Sequence, residues 1–139
     1  MKAFSLDPRL EEDSVFVCDM PLCAVRVHKN ALYHWLILIP RREGVREIFE
    51  LSAQDQGALM EEVSRAGRFL KELCQAHKIN VGALGNIVSQ LHVHVIARDP
   101  KDPAWPGPVW GTPHTKAYDE NTLKTLIKNL QQGLGGSTS

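Results

Sequence analysis

The feature that most constrains this chain is a segment from Gln90 to Arg98 in which polar and apolar side chains alternate, with the sequence QLHVHVIAR. A period of two is typical of a β-strand, because successive side chains of a strand point to opposite faces. Gln90, His92 and His94 are therefore predicted to share one face. The two imidazoles should stand about 7 Å apart, twice the strand rise, on an exposed ledge. The segment predicts a strand that carries a candidate site.

Composition limits the classes of protein to which the chain can belong. Its 139 residues predict a single domain, residues 1–139. No apolar run is long enough to cross a bilayer, and the first ten residues lack the apolar stretch of a secretory signal, so we expect a cytoplasmic protein with no membrane partner. Lys plus Arg and Asp plus Glu number 16 each, which removes the positive field that nucleic-acid binding needs. The three cysteines are too few and too scattered to predict a disulfide framework or a zinc site.

The first two thirds of the chain read as short strands around one long helix. Strands are predicted at Val15–Cys18, Cys23–Val27, Trp35–Ile39 and Ile79–Leu84, the first two flanking a turn. A helix is predicted to begin after Ser52, which has a capping arrangement with Asp55. Its apolar stripe has members three and four residues apart, namely Leu59, Val63, Ala66, Leu70, Leu73 and His77.

The last third begins with a segment that cannot continue a helix or a central strand. Residues 99–113 hold five prolines, two glycines and two tryptophans, Trp105 and Trp110, and we expect an ordered arm over about 99–115 whose tryptophans pack on the domain. A final helix is predicted over about 119–133, and the glycines from Gly133 to Gly136 should end it in a flexible tail. These elements predict an α+β fold, with an antiparallel sheet of about five strands, the long helix across one face and the C-terminal helix beside it.

On the residues alone, His92 and His94 admit three interpretations. They can be two satisfied surface histidines. They can be part of a metal site, although neither a carboxylate nor a cysteine lies near them in sequence to complete it. The third is a nucleophile with an assisting imidazole, since a neutral imidazole attacks phosphorus and an imidazolium beside it binds phosphate oxygens. On the residues alone, Asn86 is better explained as a turn residue after Gly85, and Asn30 and His28 as loop residues between strands, than as parts of a site.

The alternating segment also resembles the motif of the histidine triad (HIT) family, His-φ-His-φ-His-φ-φ, where φ is apolar. His92 and His94 fall on the second and third histidines, and Gln90 replaces the first. The run from Val95 to Arg98 is similar to the motif's end in the diadenosine polyphosphate hydrolase branch. The segment His34–Pro40 resembles the family's His-φ-φ-φ-φ-Pro strand, and Gly85-Asn86 falls where the family has a glycine and an amide. The resemblance covers a core of about residues 13–98, and the arm is similar to that of a small bacterial subgroup.

The resemblance implies a nucleotide hydrolase or transferase that attacks the α-phosphorus of a dinucleoside polyphosphate or nucleoside phosphoramidate through a nucleotidyl-histidine. By position, His92 would be the nucleophile, while His94 and Asn86 would bind phosphoryl oxygens. His34 and Asn30 would lie near the ribose and base. The family also implies a homodimer and no required cofactor, although a divalent cation can accompany a polyphosphate substrate.

Gln90 departs from the family pattern, because an amide cannot carry the charge of an imidazolium. The family is thought to orient its nucleophile through the backbone carbonyl two residues earlier, which accepts from Nδ1. That carbonyl survives any substitution, so we expect activity that is reduced or altered. The alternative is a nucleotide-binding or sensing module in which Gln90 has removed turnover. A metal-dependent β-protein that uses His92 and His94 is a more distant alternative.

Overall fold

Five short strands pair into one antiparallel sheet in the computed structural model, which describes residues 3–135. The strands are β1 (Ser14–Asp19), β2 (Cys23–His28), β3 (His34–Pro40), β4 (Lys78–Gly82) and β5 (Val93–Arg98). Their spatial order is β1-β2-β3-β5-β4, and every neighbouring pair is antiparallel. With its helices, the sheet confirms the predicted α+β fold. The histidine-bearing strand β5 therefore lies between β3 and the edge strand β4.

One face of the sheet is covered by helices. Helix α2 (Ala53–Cys74) begins at Ser52, whose Oγ accepts from the backbone N–H of Asp55 at 3.0 Å, as the capping arrangement predicts. Helix α3 (Glu120–Leu134) begins at Asp119, which accepts from the N–H of Thr122. Apolar side chains of both helices form the main core against the sheet residues Leu36, Leu38, Val93, Val95 and Ala97. Because successive side chains of a strand point to opposite faces, every second residue of β3 and β5 faces the helices.

The opposite face of the sheet is covered by irregular chain and a short helix. Helix α1 (Pro8–Asp13) places Leu10 on this face, and the arm places Val109 there. Both pack with sheet residues on alternate positions of β3 and β5, namely Trp35, Ile37, Ile39 and Ile96. The predicted packing of the arm on the domain is confirmed. His94 belongs to this second face, because Ile37 is its partner across the β3–β5 ladder.

Arg98, the last residue of β5, fastens the arm to the sheet. Its guanidinium binds both carboxylate oxygens of Asp102, at 2.7 and 3.1 Å, and donates to Asn80 Oδ1 and the Gly107 carbonyl. Arg98 is 2% exposed, and Trp105 stacks near its guanidinium. A buried cation with this many acceptors fixes the path of the arm.

Several predicted boundaries were wrong. Strand β5 begins at Val93, three residues after Gln90, so Gln90 and His92 lie in the preceding loop. Helix α2 ends at Cys74 because Gln75 takes a left-handed conformation, φ 53°, which removes His77 from the helix. Strand β4 ends at Gly82, two residues before the predicted Leu84.

The two ends of the described chain also differ from expectation. Helix α1 was not predicted, although Asp7 caps it and Pro8 begins it, a common pair at helix starts. Helix α3 continues through Gly133 to Leu134, which is 1% exposed, so the tail predicted to begin at Gly133 was wrong there. Gly136 lies outside the described residues. Among residues 3–135, no helix combines the length and apolar character that crossing a bilayer requires.

Candidate active site

The two histidines of the alternating segment meet on the arm-covered face of the sheet. Their ring centroids are 5.0 Å apart and the rings are nearly perpendicular. This separation is shorter than the 7 Å expected for two residues of one strand, because His92 precedes β5. Each histidine is 7% exposed, so the predicted exposed ledge was wrong. Covered imidazoles depend on their hydrogen-bond partners for their tautomer and charge.

His92 is held by the backbone that precedes it. Its Nδ1 lies 2.6 Å from the carbonyl oxygen of Gln90, and a carbonyl can only accept, so Nδ1 carries a proton. This is the backbone contact that the family resemblance implies. Within residues 3–135, Nε2 of His92 makes no hydrogen bond to the protein. In the neutral ring, this nitrogen keeps its lone pair and is free to act as a nucleophile or an acceptor.

A cavity of about 290 Å³ lies beside His92. Its walls come from the segment after β3, which contributes Arg46 and, from a short 3-10 helix (Ile48–Glu50), Phe49, and from the loop between β4 and β5, which includes Gly85 and Ser89. Gly85 has φ +74°, a left-handed conformation that favours glycine in this wall. The volume is large enough for a phosphoryl group with part of a substituent. Arg46 supplies positive charge to the wall.

His94 takes the opposite tautomer. The indole Nε1–H of Trp35 donates to Nδ1 of His94 at 2.8 Å, so the proton of the neutral ring lies on Nε2. Burial, and more weakly the electrostatic interaction with His92 and His28, lowers the pKa of His94 to about 3. His94 is therefore neutral near pH 7. The interpretation in which an imidazolium stands beside His92 does not match this hydrogen bond, because an imidazolium has no lone pair on Nδ1; His94 presents a neutral N–H donor.

Aromatic side chains enclose His94 on the sides away from His92. Trp110 of the arm packs edge-on at a centroid distance of 5.3 Å. Trp110 reaches this position because residue 82 is glycine, where a Cβ would lie 3.0 Å from the indole. His28 stacks face to face on Trp35 at 3.9 Å. His28 is the last residue of β2, so it is a strand residue and not the loop residue that the sequence suggested.

The side chain of Gln90 does not share the ledge with the histidines. Its Oε1 accepts from the backbone N–H of Asp7 at 2.8 Å, and its Nε2 donates to the carbonyl of Ser5 at 2.9 Å. The carboxamide thus binds an extended segment as a neighbouring strand would. Hydrogen bonds from Arg9 lower the pKa of Asp7. Gln90 therefore brings the N-terminal segment to the edge of the site.

Two other predicted site residues are not brought to the histidine pair. His34 lies on the opposite face of the sheet, paired with Ala97, in a hollow between β3, α2 and α3. Asn30 binds its own loop and the arm, accepting from Leu32 and Lys116 and donating to the carbonyl of His114. The structure therefore does not bring His34 or Asn30 to the histidine pair, and their role near the ribose and base stays a prediction. His34 faces away from the site because neighbouring side chains of a strand point to opposite faces, and it is Trp35 that lies on the site face.

Asn86 remains beside the site without entering it. It is exposed, follows Gly85, and makes no side-chain hydrogen bond within residues 3–135. The residue that the sequence reasoning missed is Trp35. Counting the four apolar positions of His-φ-φ-φ-φ-Pro back from Pro40 reaches Trp35 and not His34, so the spacing already contained the signal.

The comparisons with known proteins agree with this geometry. A HIT domain profile matches residues 9–101. The chain belongs to the histidine triad family. A solved HIT protein from Bradyrhizobium japonicum is 46% identical, with a TM-score of 0.94 over 96% of this chain and 99% of that one. One from Sinorhizobium meliloti is 44% identical, with a TM-score of 0.91 over 94% and 97% of the two chains. No curated protein matches the chain.

The HIT relatives also cover the parts of the chain beyond the matched domain. A histidine triad protein from Marinobacter aquaeolei is 40% identical, with a TM-score of 0.93 over 96% of this chain and 98% of that one. Coverage this high includes most of the arm and α3, so these bacterial relatives share the whole architecture. A hypothetical histidine triad nucleotide-binding protein from Sulfolobus tokodaii is 17% identical, with a TM-score of 0.66 over 92% and 88% of the chains, and shares the fold.

Proposed function

We propose that this HIT protein is a nucleotide hydrolase or nucleotidyl transferase that attacks the α-phosphorus of a dinucleoside polyphosphate or a nucleoside phosphoramidate. The observation that carries the proposal is the His92 ring, with Nδ1 held by the Gln90 carbonyl at 2.6 Å and a cavity of about 290 Å³ beside the residue. A neutral imidazole with a free Nε2 is a good nucleophile near pH 7.

The proposed reaction has two displacements at phosphorus. In the first, the Nε2 lone pair of His92 forms a bond to the α-phosphorus while the bond to the leaving oxygen or nitrogen breaks. The leaving group departs with the electron pair and takes a proton from water. In the second, water attacks phosphorus, the P–N bond breaks, and its electron pair returns to Nε2. A nucleoside monophosphate and one proton are released. The proton on Nδ1 stays on that nitrogen throughout, hydrogen-bonded to the Gln90 carbonyl.

His94 contributes to both displacements as a neutral donor. Its Nε2–H is the proton that remains after Trp35 has occupied Nδ1, and we assign it to a phosphoryl oxygen. Asn86 is proposed as a second donor from the adjacent loop. These contributions are positioning and electrostatic stabilisation, which is most of what phosphoryl transfer needs from a protein.

A nucleotide-binding or sensing module without turnover is the second candidate. The observation that favours it is burial, because both histidines are only 7% exposed and Gln90 adds no charge to the site. The two candidates differ in what happens after binding. A hydrolase turns over and passes through an adduct on His92, whereas a sensing module binds a nucleotide and leaves it intact.

Intact-mass analysis tests the covalent step. The protein is mixed briefly with a nucleoside phosphoramidate or a dinucleoside tetraphosphate and quenched without acid. We expect an acid-labile nucleotidyl adduct in the wild-type protein and none in His92→Ala. The matched control is His114→Ala, which removes an exposed imidazole of the arm and should keep the adduct. Nucleotide binding with no adduct and no product from either substrate would favour the sensing module.

The assembly and the conditions of the reaction are part of the same proposal. We propose a cytoplasmic homodimer that needs no resident cofactor, with a divalent cation entering only with a polyphosphate substrate. Strand β4 supports pairing with a second copy, since it is one of the two edge strands of the sheet and its Val81 is 53% exposed. Light scattering tests the dimer. A chelator should slow hydrolysis of a polyphosphate and leave that of a phosphoramidate unchanged.

A further inference from the structure

Trp35 lies between two histidines and contacts each through a different part of its indole. One face of the ring stacks on His28, with a centroid distance of 3.9 Å and an interplanar angle of 9°. The Nε1–H at its edge donates to Nδ1 of His94 at 2.8 Å. Trp35 is 7% exposed and Tyr33 packs edge-on against it at 6.3 Å, so the indole is fixed on several sides. A stacked, buried donor has little freedom to turn away.

We propose that Trp35 is a positioning residue that fixes His94 as the neutral tautomer with its proton on Nε2. The inference rests on the chemistry of indole, whose nitrogen donates and never accepts. An indole N–H aimed at Nδ1 requires a lone pair there, so the proton of the neutral imidazole must lie on Nε2. His94 then has one donor and no acceptor left for a ligand.

The charged and titratable surroundings of His94 do not oppose this state. His28 approaches it from the side of β2 and His92 from the loop before β5, and both disfavour a positive charge on His94. Trp110 of the arm packs edge-on against the ring and brings no ionisable group. The indole hydrogen bond therefore sets which nitrogen holds the proton, while burial and the two histidines keep the ring neutral.

The consequence deepens the proposed function and depends on it. With its proton on Nε2, His94 can only donate to a phosphoryl oxygen and cannot serve as a base toward water or toward the leaving group. The other tautomer would present a lone pair to the phosphoryl oxygens and repel them. Trp35 thus determines whether His94 attracts or repels the phosphoryl oxygens, although Trp35 itself does not contact the substrate.

The tautomer can be measured on the wild-type protein with no nucleotide present. Long-range ¹H–¹⁵N correlation spectra of ¹⁵N-histidine-labelled protein at pH 7 should show His94 with a protonated Nε2 and an unprotonated Nδ1, unchanged down to pH 5. A proton on Nδ1 of His94, or a doubly protonated ring at pH 6, would overturn the inference. This result does not depend on activity, so it stands apart from the fate of the proposed function.

Variants at position 35 test the link to catalysis. Trp35→Phe keeps the aromatic ring and removes the donor, and should lower kcat about 10- to 100-fold, the usual range for a lost supporting hydrogen bond, with a smaller change in KM. Trp35→His offers an N–H again and should recover part of kcat and the Nε2–H signature. Tyr33→Phe is the matched control, because Tyr33 packs on Trp35 and its hydroxyl has no partner within residues 3–135. Equal kcat in wild type and folded Trp35→Phe would refute the positioning role.

Discussion

Gln90 provides the sharpest prediction about the N-terminal segment. Gln90→Ala removes two hydrogen bonds, from the Asp7 N–H at 2.8 Å and to the Ser5 carbonyl at 2.9 Å. A hydrogen bond contributes a net stabilisation of about 1 kcal/mol in a protein. The free energy needed to open the N-terminal segment should therefore fall by about 2 kcal/mol. Its remaining polar contacts are exposed ones, from Ser5 to Glu43 and from Arg9 to the Ile87 carbonyl. Local opening should therefore become about 30-fold more frequent.

Amide hydrogen exchange measures this opening directly, because the Asp7 N–H is itself the donor to Gln90. We expect its exchange to accelerate by about 30-fold in Gln90→Ala, with little change in the global free energy of unfolding. The matched control is Gln131→Ala, which removes a similar contact, from the amide to the Val17 carbonyl on the other face of the sheet. An unchanged exchange rate of the Asp7 N–H in Gln90→Ala would show that the Gln90 side chain does not hold the N-terminal segment in place.

Gln90→His restores the first histidine of the family motif and separates the two roles of this position. An imidazole has its two nitrogens on diverging directions, so it cannot bind the Asp7 N–H and the Ser5 carbonyl as a planar carboxamide does. We expect the same acceleration of Asp7 exchange as in Gln90→Ala. The backbone carbonyl that holds His92 is unchanged in both variants, so adduct formation should persist in both.

Three stability predictions follow from buried contacts. Glu62→Ala removes the carboxylate that binds two buried backbone N–H groups at 2.8 Å each, and should cost about 3 kcal/mol or more by urea unfolding; a loss under 1 kcal/mol would contradict the account. Asp102→Ala leaves the Arg98 guanidinium buried without its carboxylate and should cost about 3–5 kcal/mol, whereas a neutral result would mean that the arm rearranges. Gly133→Val places a Cβ in steric conflict with the Phe69 ring, so it should lower Tm, and Phe69→Leu in the same chain should recover part of the loss.

The sheet was predictable because its signal is local. The short apolar segments of β1 and β2, the continuous apolar run of β3 and the alternating segment that leads into β5 each indicate a strand within six to nine residues. The antiparallel pairing of β4 with β5 followed from the short connection between them. Helix α1 was missed because six residues are too few to show a helical period, although the Asp7-Pro8 pair marked its start.

The site was predictable only in part, for a different physical reason. His92 and His94 lie on one alternating segment, so sequence alone brings them together. The partner of Gln90 lies 83 residues away at Asp7, and the donor to His94 lies 59 residues away at Trp35. A local sequence pattern cannot indicate contacts between residues that lie so far apart in the chain. The charge of His94 was missed for the same reason, because its burial depends on the arm and on β2.

The two substitutions that set this chain apart from the family motif act on different parts of the histidine pair. A side chain can be replaced at position 90 without touching the proposed nucleophile, since His92 is oriented by a backbone carbonyl that every residue has. The Gln90 side chain instead binds the N-terminal segment at Asp7 and Ser5. At position 35 the indole occupies a nitrogen of His94 directly, so a change there must alter that ring. Loss of the motif's first histidine is therefore compatible with chemistry at His92, whereas loss of the Trp35 N–H is the change that should reach the phosphoryl group.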